Sequence, residues 1–527
     1  MVIENVITIF VLSLYSFSFL SFKCMAIFQQ CSYREKEFLP TIFKSKSGEI
    51  WRLLAYSVVF SVFISLLPLA KGYSATAFSY TYFIAIVGFC GVYYLTGTVI
   101  KRARLTSRYL RIFITASIVY SACSVIIFKG LWGVSFFGES LFLIALSLMP
   151  IFIPFFICLG KILNFPYDKL RYEISKAICK KRIAKNKNLI KIGITGSFAK
   201  TSVKNYLAKM LSTKYNVLAT PKSYNTPLGI CKAIKGRVDS AEVFIAELGA
   251  RYKGDIKELC KMVKPNVGVI TGIAEQHTQT LGNIENVKIA KNRLIEALPE
   301  DGFGVFSMQT PYSRQMYNQA KVTKFAVGKD DNCFVSYTNF KQLKIGITFE
   351  IVVGQKSYSV FAPLIGEHNA INICLAVAVS LNLGVEINKI LSVIQTLEAV
   401  EHRAKLINSS KGITIIDDGY NANLDGIRLT SQAVDAFSGF KIAVTSGIVE
   451  IGKNTQRVNV EVGKILAKHF NLIIAVGVNS SYVRQGASAL NAEVICVGLT
   501  EETKKIISER ARSGDVVAFF NDLPDRY

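Results

Sequence analysis

Paired cysteines are missing from this 527-residue chain. Its eleven cysteines (Cys24, Cys31, Cys90, Cys123, Cys158, Cys179, Cys231, Cys260, Cys333, Cys374, Cys496) are scattered, with no CxxC pair. That excludes both a disulfide framework and a zinc-site pattern, and reduced thiols suit a catalytic part facing the cytosol. Histidine is scarce as well, with only four in the chain, so the position of each one is informative. Charged residues are few, at 19% against 51% hydrophobic, and the apolar excess is concentrated near the N-terminus. That balance points to a membrane part. Acids are in short supply: 37 against 62 Lys+Arg, a formal net charge of +25. Such a charge suits nucleic acid or an anionic membrane surface. There is no RNA-binding signature or aromatic stacking platform, and much of the basic excess lies beside apolar segments. The expectation is membrane lipids and no nucleic acid.

Five uncharged apolar stretches, 5–22, 53–70, 79–98, 112–128 and 140–160, each approach the ~20 residues that a helix needs to cross hydrocarbon. No Lys or Arg precedes the first, and Glu4 stands where a signal peptide is basic, so it reads as a span. Lys and Arg alternate between the stretches: six in 23–52, one in 71–78, five in 99–111, one in 129–139 and ten in 161–191. The positive-inside rule then places the N-terminus outside, five spans in the cytoplasmic membrane of a bacterium, and everything after Gly160 in the cytoplasm. Pro150 and Pro154 are expected to kink the fifth span. No charge falls inside the marked spans, which argues against an ion or proton pathway. Residues 1–160 thus form a helical membrane domain, and 161–189 a basic juxtamembrane linker.

The character changes near residue 190. IKIGITGS is an apolar strand running into a glycine turn, and FAKTSVKNYLAKML has helical spacing. GITGSFAKTS (193–202) therefore reads as a phosphate cradle at a helix N-terminus. Gly193 and Gly196 shape the turn, Lys200 serves the β/γ oxygens, and the Thr201 hydroxyl serves Mg²⁺; Ser197 and Ser202 complete the nucleotide contacts. Ala199 stands where glycine usually precedes the lysine, at a cost of about 1 kcal/mol if φ is positive there. Glu247, closing the apolar strand VFIAEL, lies where α/β sheets bind ligands and is a candidate Mg²⁺ ligand; in isolation it would read as a surface charge.

Further blocks follow in order: TPKSYNTPLG (220–229), FIAELGARYKGDI (244–256), VGVITGIAEQHTQTLGNIENVKIAKNRLIEAL (267–298), GEHNAIN (366–372), EHRAKL (401–406) and ITIIDDGYNANLDG (413–426). Three of the four histidines, His277, His368 and His402, fall inside them. Together these blocks resemble the Mur ligase family over residues 190–527, most closely its D-alanyl-D-alanine-adding branch. The resemblance implies an α/β central ATP-binding domain (190–400), with a β-rich excursion around 321–363, and a smaller Rossmann-like C-terminal domain (401–527). Strands of the latter are expected near 413–417, 441–446, 472–477 and 493–497.

It further implies catalytic roles for Lys200, His277, Lys291, Arg403 and Asp418. Nucleotide contacts would come from His368, Asn369, Asn372, Arg403, Asp418 and Asn421. Substrate contacts would come from Ser223, Asn225, Thr226, Tyr420 and Asn423. Two Mg²⁺ ions would be held around Thr201, Glu247, His277 and Lys291, with Lys291 carbamylated. The implied reaction is ATP-dependent amide formation through an acyl phosphate, joining an amino acid, dipeptide or amine to a carboxylate. The family's UDP-holding N-terminal domain has membrane helices in its place, so the expected carboxylate belongs to the cell envelope and lies near the membrane. The alternatives are a ligase acting on a soluble UDP-muramoyl peptide and a non-catalytic nucleotide-binding scaffold. FGVFSMQT (303–310) departs from the family by lacking the asparagine and aspartate expected after that strand.

Overall fold

Long apolar runs fold as helices because a helix satisfies its own backbone donors and acceptors away from water. The computed structural model describes residues 2–31, 33–44, 103–131, 145, 148–235, 237–274, 281–419, 424–449, 454–488, 490, 492–498 and 500–520. Two units are distinguished, Met1–Arg171 and Tyr172–Leu523.

The first unit contains α1 (Val2–Gln30), α2 (Glu35–Lys44), α3 (Ser107–Leu131) and the start of α4 (Ile153–Lys185). Three helices among the described residues are long and apolar enough to cross a membrane: Ile9–Gln30, Ser107–Leu131 and Met149–Lys185. They coincide with the expected spans 5–22 and 112–128 and with the described part of 140–160. The spans 53–70 and 79–98 lie outside the described residues. Phe17 of α1 packs on Phe113 and Tyr120 of α3, with ring centroids 6.0 and 5.1 Å apart. Pro150 and Pro154 stand at the start of the Met149–Lys185 span rather than in its interior. Pro150 sits in a short 3-10 turn and Pro154 in the first turn of α4, where a missing N–H breaks no helical bond. From Tyr172 onward α4 belongs to the second unit, and its Cys179 and Ile183 enter that unit's apolar core.

The second unit begins with a nine-stranded sheet. Its strands are β1 (Ile190–Thr195), β2 (Val217–Ala219), β3 (Val243–Glu247), β4 (Val267–Ile270), β5 (Phe303–Ser307), β6 (Thr323–Gly328), β7 (Val335–Leu343), β8 (Gly346–Val353) and β9 (Lys356–Ala362). Their order is β2-β3-β1-β4-β5-β6-β7-β8-β9. Pairing is parallel as far as β7 and antiparallel from β7 to β9. The helices are α5 (Lys200–Leu211), α6 (Pro227–Ala233), α7 (Asp255–Val263), α8 (Ile284–Asn292), α9 (Pro311–Gln319), α10 (His368–Asn382) and α11 (Ile387–Ile394). β1 is central, with Ile192 registered on Ile245 of β3 and on Val267 of β4, so its strand faces are shielded and read as a continuous apolar run. The connection from β3 to β4 crosses over β1, which makes the C-terminal end of β1 a topological switch point, where such sheets hold ligands. α10 is mostly apolar and buried on every side from Asn369 to Ser380, as a helix enclosed in a core is.

The second sheet comprises β10 (Lys405–Asn408), β11 (Thr414–Asp418), β12 (Lys441–Thr445), β13 (Leu472–Val476), β14 (Glu493–Val497) and β15 (Val516–Phe520), in the order β10-β11-β15-β12-β13-β14. All its pairs are parallel except β10–β11. Its helices are α12 (Leu424–Ala433), α13 (Thr455–His469), α14 (Ser480–Ala487) and α15 (Thr500–Arg510). The four strands expected from the sequence are present, and β10 and β15 are additional.

Candidate active site

The loop between β1 and α5 is shaped by close packing. A Cβ at Gly196 would stand 2.0 Å from Thr271 Oγ1, so any side chain would break the turn. Ala199 adopts φ 62°, the left-handed conformation that the sequence made its concern. The Ser197 hydroxyl donates to the Ala274 carbonyl and accepts from the Ala274 N–H, both at 3.0 Å, which braces the loop against the segment after β4. Gly193 lies inside β1, where a Cβ would press on Leu294 and Leu248.

Two lysines converge on this loop. Lys200 Nζ and Lys291 Nζ each donate to the Gly196 carbonyl at 2.8 Å, although they come from α5 and α8. Burial pushes the Lys200 ammonium down to about 8; Glu247 opposes that and Arg403 reinforces it. Burial and the charge of Lys200 hold Lys291 well below its ordinary value.

Beside them, the buried Thr201 hydroxyl donates to Glu247 Oε2 at 2.9 Å. Lys204, 1% exposed, pairs with the same oxygen at 3.2 Å and also donates to the Lys222 carbonyl. Asn225 Nδ2 donates to Glu247 Oε1 at 3.2 Å. Lys204 therefore ties the 220–226 loop to the carboxylate. The sequence had given no reason to separate it from the solvated lysines of a helix; only its burial does so. Of the other residues in that loop, Thr226 caps α6 by accepting from the Gly229 N–H, and Ser223 is half-buried. Thr201 and Glu247 present two hard oxygens in contact, a donor pair suited to Mg²⁺.

Above this cluster opens a cavity of about 270 Å³. Ser202, His368, Asn372, Arg403 and Asp418 line it, together with Phe198, Gln309, Thr310, Asp425 and Arg428, which the sequence did not single out. Gln309 and Thr310 end the FGVFSMQT segment, so the stretch that departs from the family reaches the site. Burial pushes His368 down to about 4, with Arg403 adding to the effect, and its Nδ1 has no hydrogen-bond partner among the described residues. Asn369 turns away from the cavity: it accepts from Tyr206 OH at 2.8 Å and donates to the Ile365 carbonyl at 2.7 Å. Arg403 stands between two left-handed residues, His402 (φ 60°) and Ala404 (φ 50°), and His402 Nδ1 lies 2.8 Å from Asp417 Oδ2. Asp418 accepts from Thr430 Oγ1 at 2.9 Å; burial lifts its carboxyl to about 6, against the lowering effects of Thr430 and Arg403. His277, Tyr420, Asn421 and Asn423 lie outside the described residues.

A phosphate loop on which two lysines converge, a hydroxyl–carboxylate pair beside it, and an arginine and an aspartate supplied by a second α/β domain define an ATP-dependent enzyme of two α/β domains. The Mur ligase middle-domain family matches residues 194–380. The UDP-N-acetylmuramoyl-tripeptide–D-alanyl-D-alanine ligase of Bacillus subtilis (strain 168) is 26% identical over 333 residues, covering 62% of this chain and 72% of that protein. The Escherichia coli (strain K12) protein of the same name is 25% identical over 323 residues, covering 60% and 71%. A MurF crystal structure from Acinetobacter baumannii superposes with a TM-score of 0.62 at 25% identity, covering 67% of this chain and 77% of that one. MurF ligase from Thermotoga maritima in complex with ADP shares the fold at a TM-score of 0.59 and 23% identity, covering 67% and 80%. Residues 194–380 therefore form a Mur ligase middle domain, in a chain similar to ligases of that family.

Two expectations follow from these charges. Nucleotide binding requires Lys200 as a cation, and above pH 8 the free protein must take up a proton to supply it. ADP affinity measured by calorimetry should therefore fall above about pH 8, toward tenfold per pH unit. In Lys200→Arg this decline should vanish, because a guanidinium stays charged; a pH-independent wild-type affinity would contradict the assignment. Secondly, Lys204→Met leaves the buried Glu247 carboxylate without its cation and should cost about 3–5 kcal/mol of stability. Adding Glu247→Gln should restore part of that loss in a denaturation double-mutant cycle, and strict additivity would show that the pair is not coupled.

Proposed function

We propose that this chain joins an amine, amino acid or dipeptide to a carboxylate of a cell-envelope substrate at the cytoplasmic face of a membrane. The observation that carries this reading is the meeting of Lys200 and Lys291 on the Gly196 carbonyl, within electrostatic reach of Arg403, in a chain whose N-terminal helices are long and apolar enough to cross a bilayer. The N-terminus would lie outside, with the catalytic domains in the cytoplasm, where ATP is available.

The γ-phosphoryl group of ATP passes to the substrate carboxylate, giving an acyl phosphate and ADP. Lys200 and Arg403 neutralise the transferring oxygens, and arginine suits this because its planar fork stays charged. Mg²⁺, held by Thr201 and Glu247, would shield the phosphate charges. The neutral His368 offers its unpartnered Nδ1 to the nucleotide. The incoming amine then attacks the acyl carbon, and the tetrahedral intermediate collapses to amide and phosphate. Lys291, whose ammonium is held well below its ordinary value by burial and by Lys200, releases its proton more readily and so can attack CO₂, and its carbamate would supply anionic oxygens for a second Mg²⁺. The 220–226 loop, tied to Glu247 by Asn225 and Lys204, would meet the substrate carboxylate.

A second reading is a ligase acting on a soluble UDP-muramoyl peptide, favoured by the names of the relatives above. A third is a nucleotide-binding scaffold without catalysis. Purified full-length protein should release ADP with envelope extracts, and envelope polymers from wild-type cells should exceed those from Lys200→Ala cells by the mass of one amine-bearing residue. Turnover with UDP-muramoyl tripeptide and D-alanyl-D-alanine alone would establish the second reading, and nucleotide binding without substrate-dependent ADP release the third. ¹³C-bicarbonate should give wild-type protein a carbamate carbon resonance that is absent from Lys291→Arg; no such signal in wild type would remove carbamylation from the scheme.

A further inference from the structure

The end of the nine-stranded sheet opposite the phosphate loop carries a groove of about 570 Å³. Its floor is set where three strands begin. Asn266 donates its N–H to the Lys191 carbonyl at 2.7 Å, accepts from the Lys191 N–H through Oδ1 at 3.1 Å, and accepts from the Phe303 N–H at 3.2 Å. Around this floor stand Lys191, Lys257, Lys261, Lys264 and Arg293. Glu296 is the one acid in the lining, and it is paired with Arg293 at 2.5 Å. None of the four lysines makes an ion pair among the described residues.

Ordinary helix electrostatics explain only part of this clustering. Lys261 and Lys264 close α7, where cations complement the helix dipole, but Lys257 lies in its first turn, where they oppose it. Lys264 holds φ 52°, a left-handed conformation that costs a non-glycine residue about 1 kcal/mol. Lys191 is half-buried; burial and the facing Lys264 lower its ammonium, and Asp301 opposes them. Four lysines without an ion pair among the described residues, around a concave floor and against one acid in the lining, mark a site for an anion.

The final turns of α4 pack against α7, with Lys176 Nζ and Tyr172 OH meeting Glu258 Oε1 at 2.6 and 2.9 Å. The same turns expose Lys180, Lys181 and Lys185, and also Ile174 and Ile178, which are 50% and 51% exposed. Exposed aliphatic side chains among lysines are the composition of a segment lying at a membrane surface. α4 has 33 residues, well beyond the ~20 that cross hydrocarbon, so its last turns extend past the bilayer core if its start is inserted.

We infer that this groove binds the phosphate headgroup of an anionic lipid. The inference rests on the reading that the apolar helices are inserted in a membrane, which keeps headgroups at high local concentration around the tethered domain. The groove then seats the N-terminal ends of the strands on the bilayer surface and leaves the phosphate loop, at their other ends, open to the cytoplasm.

The test uses the full chain in nanodiscs of zwitterionic phosphatidylcholine, with or without anionic phosphatidylglycerol, read by hydrogen–deuterium exchange. Peptides covering 255–266 and 293–299 should exchange at least about fivefold more slowly in the anionic discs, the factor for about 1 kcal/mol from one engaged lysine. Lys257→Glu/Lys264→Glu should abolish the difference while exchange across α10 stays unchanged. Equal exchange in both discs, or protection that survives the double substitution, overturns the inference. Full protection by inorganic phosphate in phosphatidylcholine discs overturns the lipid assignment in favour of a soluble anion. Failure of the chain to insert into any disc overturns the membrane reading instead, an outcome distinct from inserted protein with an unresponsive groove.

Discussion

Two lysine amines share one carbonyl oxygen at the centre of this enzyme. Lys200 and Lys291 both donate to Gly196, in surroundings that strip water from both, and Arg403 adds its charge within electrostatic reach of Lys200. A carbonyl dipole does not balance protonation of both amines, and in a site of low polarity like charges repel strongly. The surrounding architecture serves to hold it. β1 brings the loop to the switch point, α5 and α8 aim the lysines, and the turn before β10 aims the arginine. The site is preset for the anion that relieves it, which is how a phosphoryl-transfer centre lowers its barrier.

Holding charge in this way requires opposite charge placed with equal care. Glu247 is the balancing group, and its oxygens are occupied by Thr201, Lys204 and Asn225. Because these partners come from the phosphate-loop helix and from the 220–226 loop, the carboxylate links the two through a single side chain. Backbone strain is spent at the same place. Ala199, His402 and Ala404 are all left-handed, and they flank the residues that present Lys200 and Arg403.

Much of this was legible in the sequence, because the parts depend on local pattern. A glycine turn between an apolar strand and a Lys-Thr helix start identifies the cradle, and four strands of the C-terminal domain stand out as buried-type runs. What stayed hidden depends on distant packing. β10 is a short, half-polar edge strand, and β15 acquires its meaning only by lying between β11 and β12. Gln309 and Thr310 were noted only as missing a family pattern, yet the start of α9 brings them to the cavity. Lys204 looks like any helix lysine until the fold buries it. The 161–189 stretch reads as a charged linker, because its basic residues obscure the apolar positions, Cys179 and Ile183, that the core takes in.

The methyl group of Ala199 has an effect beyond its strain. Glycine at that position could sample many backbone conformations and would lose them on gripping a phosphate; alanine has fewer to lose. The same carbon that costs about 1 kcal/mol in folding thus reduces the entropy surrendered when a ligand arrives. A loop of this kind trades adaptability for rigidity, and it suits an enzyme that meets the same triphosphate at every turnover.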